Sequence, residues 1–347
     1  MNRIKIQLIV WCGAALLTVT GCYKDTLPQE KDYMSKDMNF KKETFVANLG
    51  RMNLFVDIFN ADYSTQPMQF ALQSPRTGDK TPAPVLLEEV DTKQWKQPYS
   101  GTETSIAEIE AKRITVRRPI LDLNKQNGQL VVWPTDSTKV RYGKYFFDVL
   151  VKNGAGERLF PGLMLDYRRP RPYEPYEFDD LTGIRKADNA GGIIRPTVLT
   201  GHKDAQGIDL KPENVRVYFI KTGNASNKLT FKFVNKDSVT IPISTFNIQR
   251  WDSLFYASKM TDRNIKFGFN RVIPKDSTKV TYDITNPFPV LAEAFAGDEL
   301  AEYIFTFSRV SYGYRVTGRI GMKFSIHEPG EWTVVFRYLV NPKFGDD

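Results

Sequence analysis

The residues with the plainest chemistry stand at the front of the chain. Leu8 to Val19 is an apolar run broken only by Cys12, Gly13 and Thr18, and small residues then lead into Cys22. A thiolate is the nucleophile that an alkylation needs, and Cys22 presents one where the apolar run stops. Other reactive side chains are scarce. The remaining cysteine is Cys12, and the two histidines are His202 and His327, far apart and in no metal-ligand spacing, so both are read as surface or loop residues. There is no GxSxG, no HExxH and no phosphate-cradling glycine loop. Glycoside hydrolysis needs only two carboxylates across a cleft. Asp179, Asp180, Asp298 and Glu299 are the candidates, but solvated loop charges are the simpler reading. The segment DDLTGIRKADN (Asp179–Asn189) offers oxygens to calcium without EF-hand spacing. No catalytic residue, metal or cofactor is therefore assigned, and the chain is read as a non-enzyme.

What remains is aromatic chemistry. Aromatic residues make up 13% of the chain, and flat Trp or Tyr rings can stack on the apolar C–H faces of sugars. Trp133 and Trp332 sit in strand patterns and are assigned to the core. Trp95 with Tyr99, Trp251 with Tyr256, and Tyr312 with Tyr314 lie among polar or turn residues. These six are the glycan-binding candidates.

Arg3 and Lys5 ahead of an apolar run shorter than the ~20 residues of a bilayer span have the layout of a secretory signal. Val19-Thr20-Gly21-Cys22 resembles the lipobox of bacterial lipoproteins, in which the cysteine takes a diacylglycerol and the chain is cut just before it. Residues 1–21 are then signal peptide, and removing their two positive charges lowers the net charge from +8 to +6. The mature chain keeps one cysteine and no disulfide. More than one acyl chain anchors stably, so the membrane is a partner through lipid. Lys24-Asp25 partly resembles the acidic export signal of Bacteroidetes surface lipoproteins, which places the protein at the outer membrane, facing outward. The positive charge is spread rather than clustered, which argues against nucleic acid and allows a mild preference for acidic polysaccharides.

The elements that must position these residues read as mainly β, in two β-sandwich (Ig-like) domains with one short helix inserted in the first. Residues 22–42 form a polar tether, 43–166 the first domain, 167–194 a proline-rich linker with few contacts across it, and 195–347 the second domain. Alternating runs such as KYFFDVLV, VRVYFI, LTFKFV, EYIFTFSRV and WTVVFRYL mark the strands. Ser105 and Glu108 have capping-box spacing, which predicts a helix over 105–113 supported by a Glu108–Lys112 pair. A second helical turn is expected near Val290–Ala296. PTDSTKVRY (134–142) and PKDSTKVTY (274–282) echo one another and are read as a recurring turn that leads into a strand.

The segments ANLGR, DYSTQPMQF, YSGTETSIAEIEAKR and RPRPYEPYEF resemble an uncharacterised Bacteroidetes lipoprotein family, over roughly residues 33–178. Members of that family are typically encoded beside SusC/SusD-type glycan import systems. The resemblance implies a surface accessory in glycan capture and a SusC/SusD-like complex as partner, and it carries no catalytic residues. The alternatives are a structural docking partner that does not touch sugar, and a carboxylate-dependent glycosidase.

Overall fold

The computed structural model describes residues 31–100, 102–246, 268–290 and 300–347, with backbone alone at 255–256. Cys22, Trp251, the side chain of Tyr256, Asp298, Glu299 and most of the turn expected at 290–296 lie outside the described residues. Among the described residues no helix is long and apolar enough to cross a membrane.

The protein is mainly β, and the strands follow the alternation. The first half contains β1 (Thr44–Asn48), β2 (Gln69–Thr77), β3 (Glu89–Trp95), the helix α1 (Ile106–Ala111), β4 (Arg113–Pro119), β5 (Gly143–Asn153) and β6 (Gly156–Arg168). One sheet runs β1-β6-β5-β2, with β1 and β6 parallel. Along β5 every second residue from Tyr145 to Val151 is buried, the period of a strand with one face on a core. β3 and β4 form a separate ribbon whose connection carries α1.

The second half contains β7 (Val215–Gly223), β8 (Lys228–Val234), β9 (Gly268–Val272), β10 (Val280–Ile284), β11 (Ala301–Ser311), β12 (Tyr314–Ile326) and β13 (Glu331–Tyr338). One sheet runs β7-β13-β8-β10-β9. The other is built on β11 and β12, extended by the short strands Tyr173–Glu174, Val198–Thr200 and Phe255–Tyr256. The two sheets meet as a β-sandwich through aromatic rings. Phe231 stacks on Tyr303 at 4.3 Å, and Phe233 meets Phe305 edge-on at 4.7 Å. Such pairs add about 0.5–1.5 kcal/mol each to the burial of the rings themselves.

The buried residues form two clusters, one drawn from 38–167 and one from 173–338. One residue crosses over. Ile109 of α1 lies in the second cluster, with Ile106, Trp95 and Tyr99 packed beside it. The helix that the sequence inserts in the first half therefore covers the core of the second. Half of the expected capping box forms: the Ser105 hydroxyl accepts from the Glu108 N–H at 3.2 Å, but the Glu108 carboxylate does not return to the Ser105 N–H. The expected Glu108–Lys112 pair is not made. Glu108 accepts from the Thr104 N–H and hydroxyl at 2.8 and 2.7 Å, while Lys112 turns to Glu103. Two hydrogen bonds to the carboxylate from the residue just before the cap outweigh an exposed ion pair worth a few tenths of a kcal/mol.

The proline-rich segment is knit into both halves rather than left with few contacts. Arg168 pairs with Asp166 at 3.0 Å and with Asp180 at 3.2 Å, and Arg51 reaches Glu174 at 2.9 Å. Tyr173 is buried and stacks on Phe219 at 4.6 Å. Prolines remove backbone donors, so side chains supply much of the attachment. The echoed nonapeptides also behave alike: Asp136 accepts from the Thr138 N–H at 2.9 Å and Asp276 from the Thr278 N–H at 3.1 Å. Each carboxylate closes a turn on its own backbone.

Candidate functional site

Trp95 and Tyr99 are not an exposed stacking surface. Their rings lie 6.0 Å apart, both pack against the second core cluster, and the Arg113 guanidinium sits over the Trp95 ring at 5.6 Å. Burial pushes the Tyr99 phenol well up from its usual pKa, with Glu103 adding to the shift. The polar neighbours in KQWKQPYSG suggested exposure; they belong to the outer side of a ribbon whose inner side faces a core from the other half. Trp133 and Trp332 are buried as expected, each indole N–H donating, to Asp122 at 3.1 Å and to the Glu328 carbonyl at 3.0 Å.

Tyr312 and Tyr314 stand out into solvent, 87% and 77% exposed. β11 and β12 pair through to Ser311 opposite Tyr314, leaving Tyr312-Gly313 as a two-residue turn. Both turn residues have positive φ, 49° and 81°, as the tight hairpin turn that matches strand twist requires. Glycine adopts this freely, whereas a tyrosine there is uncommon. The base of the hairpin is braced by the chain end. Asp346 accepts from the Val310 N–H at 2.6 Å, Arg309 donates to Asp347 at 3.1 Å, and the Ser311 hydroxyl donates to Asp347. Lys343, Ser311 and Arg309 together hold the Asp347 carboxyl below the usual carboxylate range. Two phenols are thus carried on a braced support.

Both histidines are buried, against the expectation of surface or loop positions. His202 Nδ1 lies 3.1 Å from the Tyr338 hydroxyl, with the ring edge-on to Phe307 at 4.8 Å. His327 Nε2 lies 3.0 Å from the Ser325 hydroxyl. Burial lowers their pKa values to about 4 and about 3, with Arg51 and Arg171 adding to the shift at His327. Hydrogen bonds from neighbouring hydroxyls and aromatic packing make a neutral imidazole tolerable inside. His327 lines two adjoining cavities between the clusters, of about 330 and 550 Å³, which also share Gly50, Pro134 and Asn286. A base this weak is ill matched to proton transfer near neutral pH.

The carboxylates Asp179 and Asp180 are spent on structure. Asp179 accepts from the Leu181 and Thr182 N–H groups at 3.1 and 2.7 Å, and Asp180 pairs with Arg168 and, at 3.6 Å, Arg171. Among the described residues no group of three or more His, Cys, Asp or Glu could hold a metal ion.

A fourth place was not singled out in the sequence. The outer face of the sheet β7-β13-β8-β10-β9 carries an open groove of about 620 Å³. Ile220, Thr333, Thr230, Thr281 and Val272 lie in one row across its five strands, and the Thr230 and Thr281 hydroxyls are 2.9 Å apart. Lys228, Lys232 and Lys279 stand beside the row. The signal was present in KLTFK and KVT, where the residues alternating with the buried ones are lysine and threonine.

This is a mainly β protein with a β-sandwich, two exposed rings on one hairpin turn and an open sheet face. The chain belongs to the family described as a domain of unknown function (DUF5007), whose pattern matches residues 59–346. No curated protein matches it. Two of the weakly similar solved structures illustrate the likeness. One is the two tandem V-type regions of VCBP3, a v-region-containing chitin binding protein, at 9% identity over 82% of this chain and 97% of that one, with a TM-score of 0.20. The other is the C-terminal domain of the AgI/II polypeptide BspA of Streptococcus agalactiae, at 9% identity over 79% and 82%, with a TM-score of 0.13. At such scores neither likeness bears on fold or ligand.

Proposed function

We propose that this protein is a lipid-anchored surface lipoprotein that captures glycans without cleaving them, as an accessory of a SusC/SusD-type import system. Cys22 carries the lipid at the outer membrane, the polar residues after it lead into a folded part that begins before the expected boundary at 43, since Met38 and Phe40 already belong to the first core cluster, and the two core clusters correspond to two Ig-like sandwich domains. The observation that carries the reading is the Tyr312–Tyr314 tip. Two phenols on one braced turn expose apolar ring faces and hydroxyls together, the pairing of surfaces that a sugar ring matches.

The test is titration of Tyr312→Ala/Tyr314→Ala against a polysaccharide panel, with melting as the control. Stacking is worth about 1–3 kcal/mol per ring by analogy with bases, so binding should weaken roughly five- to 150-fold. Melting should stay put, because the rings are exposed. Wild-type glycan binding by the double variant would overturn the assignment. If it also lost co-purification with the transporter, docking without sugar contact would replace it. Cys22→Ala should abolish labelling by a fatty-acid probe and release the protein from membranes.

A further inference from the structure

We propose that the groove on the outer face of the C-terminal sheet binds an anionic polysaccharide, with lysines meeting its acid groups and threonines meeting its hydroxyls. This concerns a different face from the tyrosine tip and does not depend on it.

The argument starts from charge. Lys228, Lys232 and Lys279 line the groove against one lining acid, Glu331. Glu331 already accepts from the Ser226 hydroxyl at 2.8 Å, and Asp283 on the same face accepts from the Asn270 side chain at 2.8 Å. Lys228 stands in register with both Asp283 and Glu331, and Asp276 lies near enough to act on Lys279, but among the described residues none of the three lysines forms an ion pair. Thr230 pairs with Thr281 and Phe231 with Val280, so the next rung brings Lys232 of β8 towards Lys279, just before β10. Like charges facing across strands destabilise a sheet, and an anion between them would remove that cost.

Shape narrows the ligand. The row crosses five strands, roughly 19 Å at the usual strand spacing, with hydroxyls on its middle three strands and apolar side chains at both ends, a length that accommodates several sugar rings in line. The floor is recessed, with Thr333 buried and Thr230 and Thr281 half-buried below the lysine stems. A flat lipid surface cannot reach such a floor, whereas a single polymer chain can. No aromatic ring lines the groove to stack bases. The remaining lining, Ile220, Val272 and Val335, is apolar and suits sugar C–H faces.

The test uses the full chain in detergent, titrated with polygalacturonate, dextran sulfate, uncharged dextran and phosphatidylglycerol vesicles. At least one of the two anionic polymers should bind, and the one preferred names the acid group. Lys232→Glu/Lys279→Glu should weaken that binding by about five- to thirtyfold, from two exposed charge contacts of up to about 1 kcal/mol each. Raising salt should erase the difference between wild type and variant. Lys80→Glu/Lys144→Glu, exposed lysines of the first half, should bind as wild type. Melting of each variant guards against misfolding. Equal binding by wild type and Lys232→Glu/Lys279→Glu would overturn the site. So would failure of both anionic polymers to bind, or binding of the vesicles in their place.

Discussion

Two aromatic pairs, Trp95 with Tyr99 and Tyr312 with Tyr314, look alike in the sequence and end in opposite environments. Both sit at the end of a strand among polar residues. The first belongs to a ribbon that folds over the neighbouring core, so its rings join Ile106 and Ile109 in covering that core. The second sits at the apex of a hairpin whose two strands pair right up to the turn, so among the described residues both rings stand out into solvent. A ring is therefore buried or exposed according to what lies opposite its strand, and the flanking polarity in the chain does not decide it.

Acid should break the comparison altogether, by removing the core on which both pairs stand. His202 and His327 titrate at about 4 and about 3, lowered mainly by burial. The unfolded chain takes up those protons first, near pH 6.5. Stability from this source is therefore full above pH 6.5 and falls as pH drops towards 4. By pH 5 the loss should be about 2 kcal/mol per histidine, measurable by denaturant unfolding at pH 7.5 and 5.

Trp95→Ala comes next and should cost about 3 kcal/mol, below the full price of a buried tryptophan because the ring is only partly covered. Its indole nitrogen is buried with no hydrogen-bond partner among the described residues. Trp95→Phe removes that orphan donor and should melt within about 1 kcal/mol of wild type. A large loss in Trp95→Phe would mean that the indole makes a polar contact after all.

Smaller again is the lock beneath this pair. Burial raises the Glu103 pKa, but Lys112 and the Ser100 N–H and hydroxyl outweigh it and hold the carboxyl at about 2. Glu103→Gln should cost about 1.5 kcal/mol at pH 7. The difference from wild type should persist above pH 4.5 and vanish as pH falls towards 2, since protonated glutamate is then matched by glutamine. The smallest effect belongs to the tip, where Tyr312→Ala or Tyr314→Ala should change stability by less than about 0.5 kcal/mol. A loss above 1 kcal/mol would show that the tip packs against something.

The strands of the second half were legible because alternation with a period of two is written residue by residue, as in Val215–Gly223 and Lys228–Val234. The β5–β6 hairpin and the Ser105 cap were legible for the same reason, since their signals are local. The histidines, the Trp95 ribbon and the groove were not. His202 meets Tyr338 across 136 residues, and Ile109 packs on a core whose other members begin at Tyr173.

By itself the chain determined that it is mainly β, that its tryptophans at 133 and 332 are internal, and that a tight turn falls at Tyr312-Gly313. These follow from interactions between residues close in sequence, whose spacing sets both partners at once. Tertiary structure alone decided that α1 caps the opposite core, that two histidines are neutral inside, and that lysines from β8 and the start of β10 share one groove with threonines of three strands. Each of these depends on which faces come to lie against one another, and burial of distant apolar surface chooses that after the local pattern has been satisfied.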